Sequence, residues 1–310
     1  MGYTISPLRY PGGKYNYFSL FRKIIEKDRG INTFVEPFCG GAGLGLALLY
    51  NNLINKLIIN DSDPFIHALW FEILNNPRNL KDYISNIKVD VQEFKRRKEL
   101  YSCDTNSNQL SNLEKALTCL FINRTTRSGI YYAGPIGGKK QKDWKIYARW
   151  KPKQLIEKID LINQMKDKIE LHNIDYHSFI SGIINSTNKK IIENYLFFLD
   201  PPYYKKGKNL YFHYFEEEQH KRLSDLLKKM SGSHNWIVTY DSCSEVKELY
   251  QFAKRNEGRV SYSVAGKKEK TELIYFSDSI KLIKGKFGSI SVSPKRRING
   301  YKKKYMITIK

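Results

Sequence analysis

The stretch Leu196-Phe197-Phe198-Leu199-Asp200-Pro201-Pro202-Tyr203 is the most informative part of the sequence. An apolar run closed by an acidic residue and two prolines predicts a buried central strand that ends abruptly at the carboxyl edge of a sheet. Open α/β sheets bind their ligands at that edge. These residues therefore predict an α/β fold with a functional site directly after this strand.

The chemistry of residues 200–203 suits an amino group. Asp200 offers a carboxylate and the prolines offer carbonyls but no N–H, so the segment presents hydrogen-bond acceptors. Tyr203 adds an aromatic face of the kind that stacks on a base taken out of its helix. A strand-ending turn with an exposed aspartate is the alternative, and the rest of the sequence has to decide between the two.

The charge of the chain favours nucleic acid as a partner. Its 310 residues include 53 Lys and Arg against 31 Asp and Glu, a net charge of +22. Neutralising phosphates and releasing their counterions favours binding of such a protein to a polyanion, although a merely basic soluble protein is the alternative. The sequence has neither a run of about 18 apolar residues nor an apolar leader, so we expect a cytoplasmic protein without a membrane partner.

The four cysteines indicate neither a metal site nor a disulfide framework. They are far apart, without Cys-x-x-Cys pairs or adjacent histidines, so no metal is expected. None of them follows a proline, which argues against an enzyme that methylates a ring carbon of a pyrimidine. The cysteines are Cys39, Cys103, Cys119 and Cys243.

Strands and helices alternate along the chain, which predicts a mostly parallel sheet covered by helices. Residues 33–36 lead into a glycine-rich turn at 37–43 and then into a leucine-rich helix. Residues 57–59 end at Asn60-Asp61, before a helix that Ser62 or Asp63 can cap. A helix is predicted from about 216 to 230, and further strands are predicted at 169–172, 236–240 and 273–276.

Two features of this pattern indicate the cofactor. The glycine-rich turn lets the backbone approach a ligand closely, but it is neither a full dinucleotide fingerprint nor a P-loop. Asp61 is placed to accept both hydroxyls of a ribose, with a helix cap as its alternative role. A nucleoside cofactor without a phosphate clamp, beside a pocket for an amine, points to S-adenosylmethionine and methyl transfer to that amine.

Several motifs together resemble those of the Dam-like DNA adenine-N6 methyltransferases, in which cofactor motifs come first, the recognition region lies in the middle and the catalytic tetrapeptide comes last. The resemblance extends from residue 7 to about residue 276. It is carried by Pro7-Leu8-Arg9-Tyr10-Pro11-Gly12-Gly13-Lys14, Phe34-Val35-Glu36-Pro37-Phe38-Cys39-Gly40-Gly41, Asn60-Asp61, Asn123-Arg124-Thr125-Thr126-Arg127-Ser128-Gly129, Gly134-Pro135-Ile136-Gly137-Gly138 and Asp200-Pro201-Pro202-Tyr203.

The resemblance implies a Rossmann-like methyltransferase sheet with an inserted, mainly helical target-recognition domain. The catalytic domain is expected at 1–75 and 165–285, the insertion at 76–164 and a basic tail at 286–310. It implies methyl transfer from S-adenosylmethionine to the N6 amine of an adenine flipped out of double-stranded DNA. The target sequence is left open, as is the question of a cognate restriction endonuclease as a second partner.

Residue roles follow from the motifs and the resemblance. The catalytic residues are expected to be Asp200, Pro201, Pro202 and Tyr203. The cofactor is expected to contact Tyr10, Gly12, Gly13, Lys14, Glu36, Pro37, Phe38, Gly40, Gly41, Asp61, Asp175, Tyr176 and Asp200. Two alternatives stay open: Lys14 could contact the target nucleotide instead, and Asp175-Tyr176 could simply cap a helix. DNA is expected to contact Arg124, Arg127, Lys139, Lys140 and Arg149, although any single lysine can equally be a solvated surface charge.

Three alternatives stay open. A cytosine-N4 methyltransferase would bind its target amine with acceptors of the same kind. Asp at position 200, together with the motif order, favours adenine. Methylation of RNA or of a protein amine is disfavoured by the resemblance alone. An inactive nucleic-acid-binding module would keep the basic insertion but lose the tetrapeptide and the cofactor turn, both of which are intact here.

Overall fold

One seven-stranded sheet organises the computed structural model, which describes residues 4–9, 13–102, 109–131, 133–141, 144–205, 214–262 and 268–280. The strands are β1 Thr33–Glu36, β2 Lys56–Asn60, β3 Ile169–His172, β4 Tyr195–Leu199, β5 Asn235–Asp241, β6 Lys254–Tyr262 and β7 Lys268–Phe276. Their order is β3-β2-β1-β4-β5-β7-β6, with β1 to β5 parallel and β7 antiparallel to β5 and β6. The predicted, mostly parallel α/β sheet is confirmed.

The position of the site follows from the strand order. The chain moves outward from β1 to β3 on one side of the sheet and then returns to place β4 on the other side of β1. This reversal is a topological switch point, where the loops after two neighbouring parallel strands diverge and leave a crevice. Val35 pairs with Phe197, so Glu36 and Asp200 follow their strands at the same edge.

The helices divide between the two faces of the sheet. Those before β3 share one apolar cluster, and those after β3 share another. Connections between parallel strands are right-handed. When the chain reverses its direction across the sheet after β3, the connecting helices therefore change from one face of the sheet to the other. The first group is α1 Phe18–Lys27, α2 Gly43–Tyr50, α3 Pro64–Asn75, α4 Pro77–Asn86, α5 Val91–Ser102, α6 Asn112–Thr125 and α7 Pro152–Asn163, and the second is α8 Tyr176–Ser186, α9 Lys189–Ile192, α10 Glu217–Met230 and α11 Ser244–Leu249.

The middle positions of β1, β2 and β4 are apolar on both faces because both faces of the sheet are covered there. Phe34 and Phe198 point into the first cluster, while Val35 and Phe197 point into the second. Successive side chains of a strand point to opposite faces, so a strand buried on both sides needs apolar residues at every position. The run at 196–199 therefore forms a central strand.

The region 76–164 is mainly helical, as predicted. Its buried side chains, among them Leu80, Phe94 and Phe121, belong to the same apolar cluster as Phe34 and Leu57 of the sheet. The helices of this region therefore pack onto the catalytic sheet through a continuous core. The domain boundaries at 75 and 165 stay a prediction.

Several predicted residues fall outside the described part of the chain, namely Tyr10, Gly12, Cys103 and the tail 286–310. Within the described residues, no helix is long and apolar enough to cross a membrane. The same residues contain no group of three or more His, Cys, Asp or Glu side chains placed to hold a metal ion.

Arg97 joins α5 to α6 in the interior. Its guanidinium donates to Glu93 at 2.7 Å and to Glu114 and Thr118 at 3.0 Å each, and the residue is only 2% exposed. The adjacent Arg96 pairs with the same two glutamates from a half-exposed position. The two arginines thus differ mainly in burial.

Replacing Arg97 with alanine is expected to lower the free energy of unfolding by about 3 kcal/mol, because it removes the buried partner of two carboxylates. Arg96→Ala removes the same charge from the same helix, but exposed ion pairs contribute only about 0.5 kcal/mol. Urea unfolding followed by circular dichroism measures both variants. Equal losses would contradict a special contribution from the buried arginine.

Candidate active site

Asp200 directly follows β4, and two groups hold one oxygen of its carboxylate. Oδ1 accepts a hydrogen bond from the Thr239 hydroxyl at 2.8 Å and lies 3.0 Å from Nζ of Lys14. A quarter of the side chain remains accessible to solvent. Burial raises the pKa of Asp200, the Lys14 charge opposes this, and Glu272 raises the pKa further. The carboxylate is therefore anchored through Oδ1 and still within reach of a ligand.

Lys14 lies between two carboxylates. Its Nζ is 3.0 Å from Asp200 Oδ1 and 3.2 Å from Glu272 Oε1. Glu272 is 1% exposed and accepts hydrogen bonds from Tyr17 at 2.6 Å and from Tyr203 at 2.5 Å. Lys14 was predicted to contact the cofactor, and its ammonium is placed against the expected catalytic aspartate; cofactor contact stays a prediction. Glu272 and Tyr17 were not predicted.

The backbone after the tetrapeptide is fixed by a second unpredicted carboxylate. Asp241 ends β5, and its side chain accepts the N–H of Tyr204 at 2.9 Å and the N–H of Lys205 at 3.3 Å. The preceding Tyr203 is 7% exposed. Asp241 follows the predicted strand 236–240 at the ligand edge of the sheet, a signal that could have identified it from sequence. Pro201 is buried next to this clamp.

The glycine-rich turn after β1 is tied to Asp61. The Asp61 carboxylate accepts the N–H of Gly40 at 2.8 Å and the N–H of Asp63 at 3.0 Å, and Trp70 donates to the Gly40 carbonyl at 2.9 Å. Burial, with the neighbouring Asp63 charge, raises the pKa of Asp61 to about 7. Each carboxylate oxygen keeps further acceptor capacity. Gly40 and Gly41 thus lie beside an oxygen-rich group that a ligand can use.

Glu36 ends β1 as a buried carboxyl group with one unmatched oxygen. Oε1 accepts the N–H of Gly45 at 3.4 Å, whereas the buried Oε2 has no hydrogen-bond partner among the described residues. Burial raises the pKa of Glu36 to about 8, opposed by the Gly45 N–H and assisted by the Asp200 charge. Buried polar atoms are nearly always paired, so the unmatched oxygen makes Glu36 a candidate acceptor for a ligand donor.

Asn60 ends β2 and joins the loops that follow the two neighbouring strands, β1 and β3; it was not among the predicted site residues. Its amide donates to the carbonyls of Pro37 and Ile174 at 3.0 Å each and accepts the N–H of Ile174 at 3.0 Å. Asn173 adds a bond to the Asp61 carbonyl at 2.7 Å. These bonds connect the loop after β1 with the loop after β3.

Asp175 and Tyr176 have structural contacts of their own. The Asp175 carboxylate accepts the N–H groups of His177 and Ser178 and so caps α8. Tyr176 is 5% exposed, and its ring packs 5.3 Å from that of Phe38 and 5.2 Å from that of Phe215. Phe38 and Tyr176 thus form one aromatic wall beside the glycine-rich turn. Their contact with a cofactor stays a prediction.

Cations gather around residues 6–9. Arg124 donates to the Arg149 carbonyl at 2.5 and 3.0 Å and to the Pro7 carbonyl at 3.4 Å. Burial, with the charges of Arg9 and Arg149, lowers the pKa of Arg124 to about 10. These guanidinium bonds end on backbone carbonyls, so they leave the positive charges in place. Arg124 and Arg149, both predicted to contact DNA, are therefore brought together with Arg9.

The two halves of the middle motif form one unit. Thr126 and Pro135 make an antiparallel bridge, and Arg127 donates its N–H to the Gly134 carbonyl. Gly129 has a φ of +75°, and a Cβ there would lie 2.2 Å from the Arg9 carbonyl oxygen, so any side chain would clash with the amino-terminal segment. The remaining residues predicted to contact DNA are Lys139 and Lys140, which are both exposed.

A comparison with known protein families shows the family of this chain. A family model described as D12 class N6 adenine-specific DNA methyltransferase matches residues 10–264. The chain belongs to this family. It is therefore an enzyme that methylates adenine in DNA with S-adenosylmethionine, which confirms the predicted resemblance and activity.

Two curated proteins are similar to this methyltransferase. The type II methyltransferase M.MjaIII of Methanocaldococcus jannaschii is 22% identical over 239 residues, which are 72% of this chain and 79% of that protein. The modification methylase StsI of Streptococcus sanguinis is 38% identical over 68 residues, which are 22% of this chain and 10% of that protein. Among solved structures, the rRNA methyltransferase aviRa from Streptomyces viridochromogenes covers 85% of each chain at 14% identity and a TM-score of 0.33.

Replacing Asp241 with alanine is expected to slow methyl transfer by about tenfold to a hundredfold, because the backbone that follows the tetrapeptide loses its clamp and the reacting groups lose their alignment. Glu245→Ala is the matched control, since Glu245 is a partly exposed carboxylate that contacts the side chains of Lys205 at 3.2 Å and Ser244 at 3.0 Å, whereas the backbone N–H groups of Tyr204 and Lys205 bind Asp241. Single-turnover methylation of a DNA duplex measures both rates. Wild-type rates in both variants would contradict the role of the clamp.

Proposed function

We propose that this DNA adenine methyltransferase acts on an adenine flipped out of double-stranded DNA, with the Asp200 carboxylate and the Pro201 carbonyl as acceptors for its N6 amine. The observation that carries the proposal is the anchoring of Asp200 through Oδ1, at the edge where β1 and β4 diverge. A fixed, partly accessible carboxylate at a switch point is suited to grip an amine.

The activation of the amine follows from its electronic structure. The lone pair of N6 is delocalised into the adenine ring, which makes the nitrogen a poor nucleophile. Acceptors directed at its two hydrogens favour a pyramidal nitrogen and localise the lone pair. The nitrogen gains positive charge as it reacts, so a fixed carboxylate stabilises the transition state more than the ground state. Asp200 provides that carboxylate.

The loops after β1 and β2 fit S-adenosylmethionine. Glu36 has a buried oxygen without a partner in the described part of the chain, and Asp61 keeps acceptor capacity beyond its two backbone bonds. Ribose hydroxyls and the amino group of the methionine part are donors of the kind such oxygens bind. Gly40, Gly41 and Phe38 would complete this site. When bound, S-adenosylmethionine supplies an electrophilic methyl group on a sulfonium sulfur.

A duplex must release its adenine before the amine can reach Asp200, because the base is otherwise stacked and paired. We propose Tyr203 as the main stacking partner, flanked by Tyr204 or Phe38. The Tyr203 hydroxyl is fixed by Glu272, and this bond supports the proposal because it holds the ring rigidly beside the acceptor segment. A rigid aromatic side chain stacks on any base at a low cost in conformational entropy.

The basic insertion is proposed to hold the duplex. Arg124, Arg127 and Arg149, together with Lys139 and Lys140, lie in the region between the cofactor motifs and the tetrapeptide. Phosphate contacts from such cations fix the register of a protein on DNA. The similar proteins are named a type II methyltransferase and a modification methylase, and these names support a cognate restriction endonuclease as a partner. Cleavage by that nuclease should stop at sites that this enzyme has methylated.

Asp200→Ala is expected to reduce the single-turnover rate by about a hundredfold or more, as loss of a charge-stabilising group does in other enzymes. DNA affinity, measured by fluorescence anisotropy, should change by less than about threefold, because phosphate contacts carry most of the binding. Thr239→Val is the comparison variant: it keeps the carboxylate and removes only one of the two contacts that anchor Oδ1, so its loss of rate should be smaller than that of Asp200→Ala. Turnover of Asp200→Ala at the wild-type rate would refute the assignment.

The double variant Lys139→Ala, Lys140→Ala is expected to flatten the dependence of DNA affinity on salt, by about one unit of log–log slope for each phosphate that is no longer neutralised. Lys228→Ala, Lys229→Ala is the matched control, with the same charge change on exposed positions of α10. Anisotropy titrations at several salt concentrations measure the slopes. Identical slopes in the two double variants would place Lys139 and Lys140 away from the phosphates.

A further inference from the structure

Glu272 belongs to the buried network around Asp200, yet no motif includes it and the proposed function uses it only to hold the Tyr203 ring. It lies in β7, whose antiparallel direction brings the middle of that strand to the edge where β5 ends, with Glu272 paired to Asp241. Its carboxylate is reached by three donors, namely Lys14, Tyr17 and Tyr203. A buried carboxylate with three donors has the partners it needs to keep its charge.

We propose that Glu272 is a positioning residue that shares the Lys14 ammonium with Asp200 and so keeps the site net negative towards the reacting amine. The proposal rests on the proposed role of Asp200. Lys14 alone would neutralise Asp200, because the two charged groups are 3.0 Å apart. With Glu272 at 3.2 Å from the same ammonium, two carboxylates share one cation and the three groups carry a net charge of −1.

The net charge matters because positive charge develops on the adenine amine as it reacts. A neutral Lys14–Asp200 pair would act on that charge only as a dipole, whereas the three-group cluster acts as an anion. Electrostatic effects of this kind are strong where water is excluded. Glu272 also fixes the Tyr203 hydroxyl, so one residue sets both the charge at Asp200 and the position of the aromatic ring.

The charged and titratable groups around Asp200 come from several elements. Lys14 and Tyr17 belong to the segment before α1, Glu36 ends β1, Tyr203 follows β4 and Glu272 lies in β7. Burial raises the pKa of Asp200, Lys14 lowers it and Glu272 raises it. Removing Glu272 therefore lowers the pKa of Asp200, while removing Lys14 raises it. The two removals should displace the acid limb of the rate profile in opposite directions.

Glu272→Gln preserves the shape of the side chain and one of its two acceptor oxygens but removes the charge. The single-turnover rate on its plateau should fall by about tenfold, less than for loss of Asp200 itself. The acid limb of the pH–rate profile should move to lower pH, and DNA and S-adenosylmethionine affinities should stay within about threefold of wild type. A slower plateau combined with a limb at lower pH is not expected from a merely structural role.

Lys14→Met tests the opposite change in charge, and the acid limb of its pH–rate profile should lie at higher pH than that of the wild type. The double variant Lys14→Met, Glu272→Gln restores a net charge of −1 at Asp200, so its plateau rate should exceed that of Glu272→Gln. The effects of the two substitutions would then not add up, as is typical of residues that interact with each other. Ser277→Ala is the stability control, because Ser277 is buried just after β7 and its hydroxyl accepts the Trp236 N–H at 3.1 Å, away from Asp200.

An unchanged acid limb in Glu272→Gln, or a double variant that is no faster than Glu272→Gln, would overturn the proposal. Circular dichroism melting of each variant, compared with Ser277→Ala, separates loss of fold from loss of charge. The role of Asp200 is tested separately by Asp200→Ala. Loss of turnover in that variant together with an unshifted limb in Glu272→Gln would leave the proposed function intact and remove only the role of Glu272.

Discussion

A buried ammonium shared by two carboxylates is the interaction on which the site depends. Lys14 lies within 3.2 Å of both Asp200 and Glu272 and connects the amino-terminal segment, the end of β4 and β7. Burial of an unpaired charge would be strongly unfavourable, so each of the three groups requires the others. The Tyr17 and Tyr203 hydroxyls complete the network, and the orientation of the tetrapeptide follows from it.

The charges that suit DNA binding and the charges that suit the reaction lie in different parts of the molecule. The whole chain carries a net charge of +22, and Arg124, Arg149 and Lys158 are among the cations that lie around residues 6–9. The carboxyl edge of the sheet has the opposite character, because Glu36, Asp61 and Asp200 place carboxyl groups at the ends of three neighbouring strands. Long-range attraction thus favours the phosphate backbone, while the crevice accepts amine and hydroxyl donors.

Residues that end parallel strands were open to prediction from sequence, because parallel strands all finish at one edge. Asp61 and Asp200 were predicted in this way, Glu36 was predicted from the resemblance, and Asp241 could have been predicted from its position. Glu272 could not, since it lies inside an antiparallel strand whose pairing depends on the completed sheet. For Lys14 the resemblance indicated a place near the cofactor, and only the fold shows its two carboxylate neighbours. The roles of Tyr10 and Gly12 lie beyond the described residues.

The hydrogen bond between Lys14 and Glu272 joins positions 258 residues apart along the chain. Ribosomal synthesis therefore delivers the glycine-rich turn, the insertion and the tetrapeptide well before the last member of the network. Pairings between such distant positions form late, because a long loop must close first. A nascent chain that ends before β7 has Lys14 and Asp200 but lacks the second carboxylate, so the network around Lys14 can form only after β7 has been synthesised.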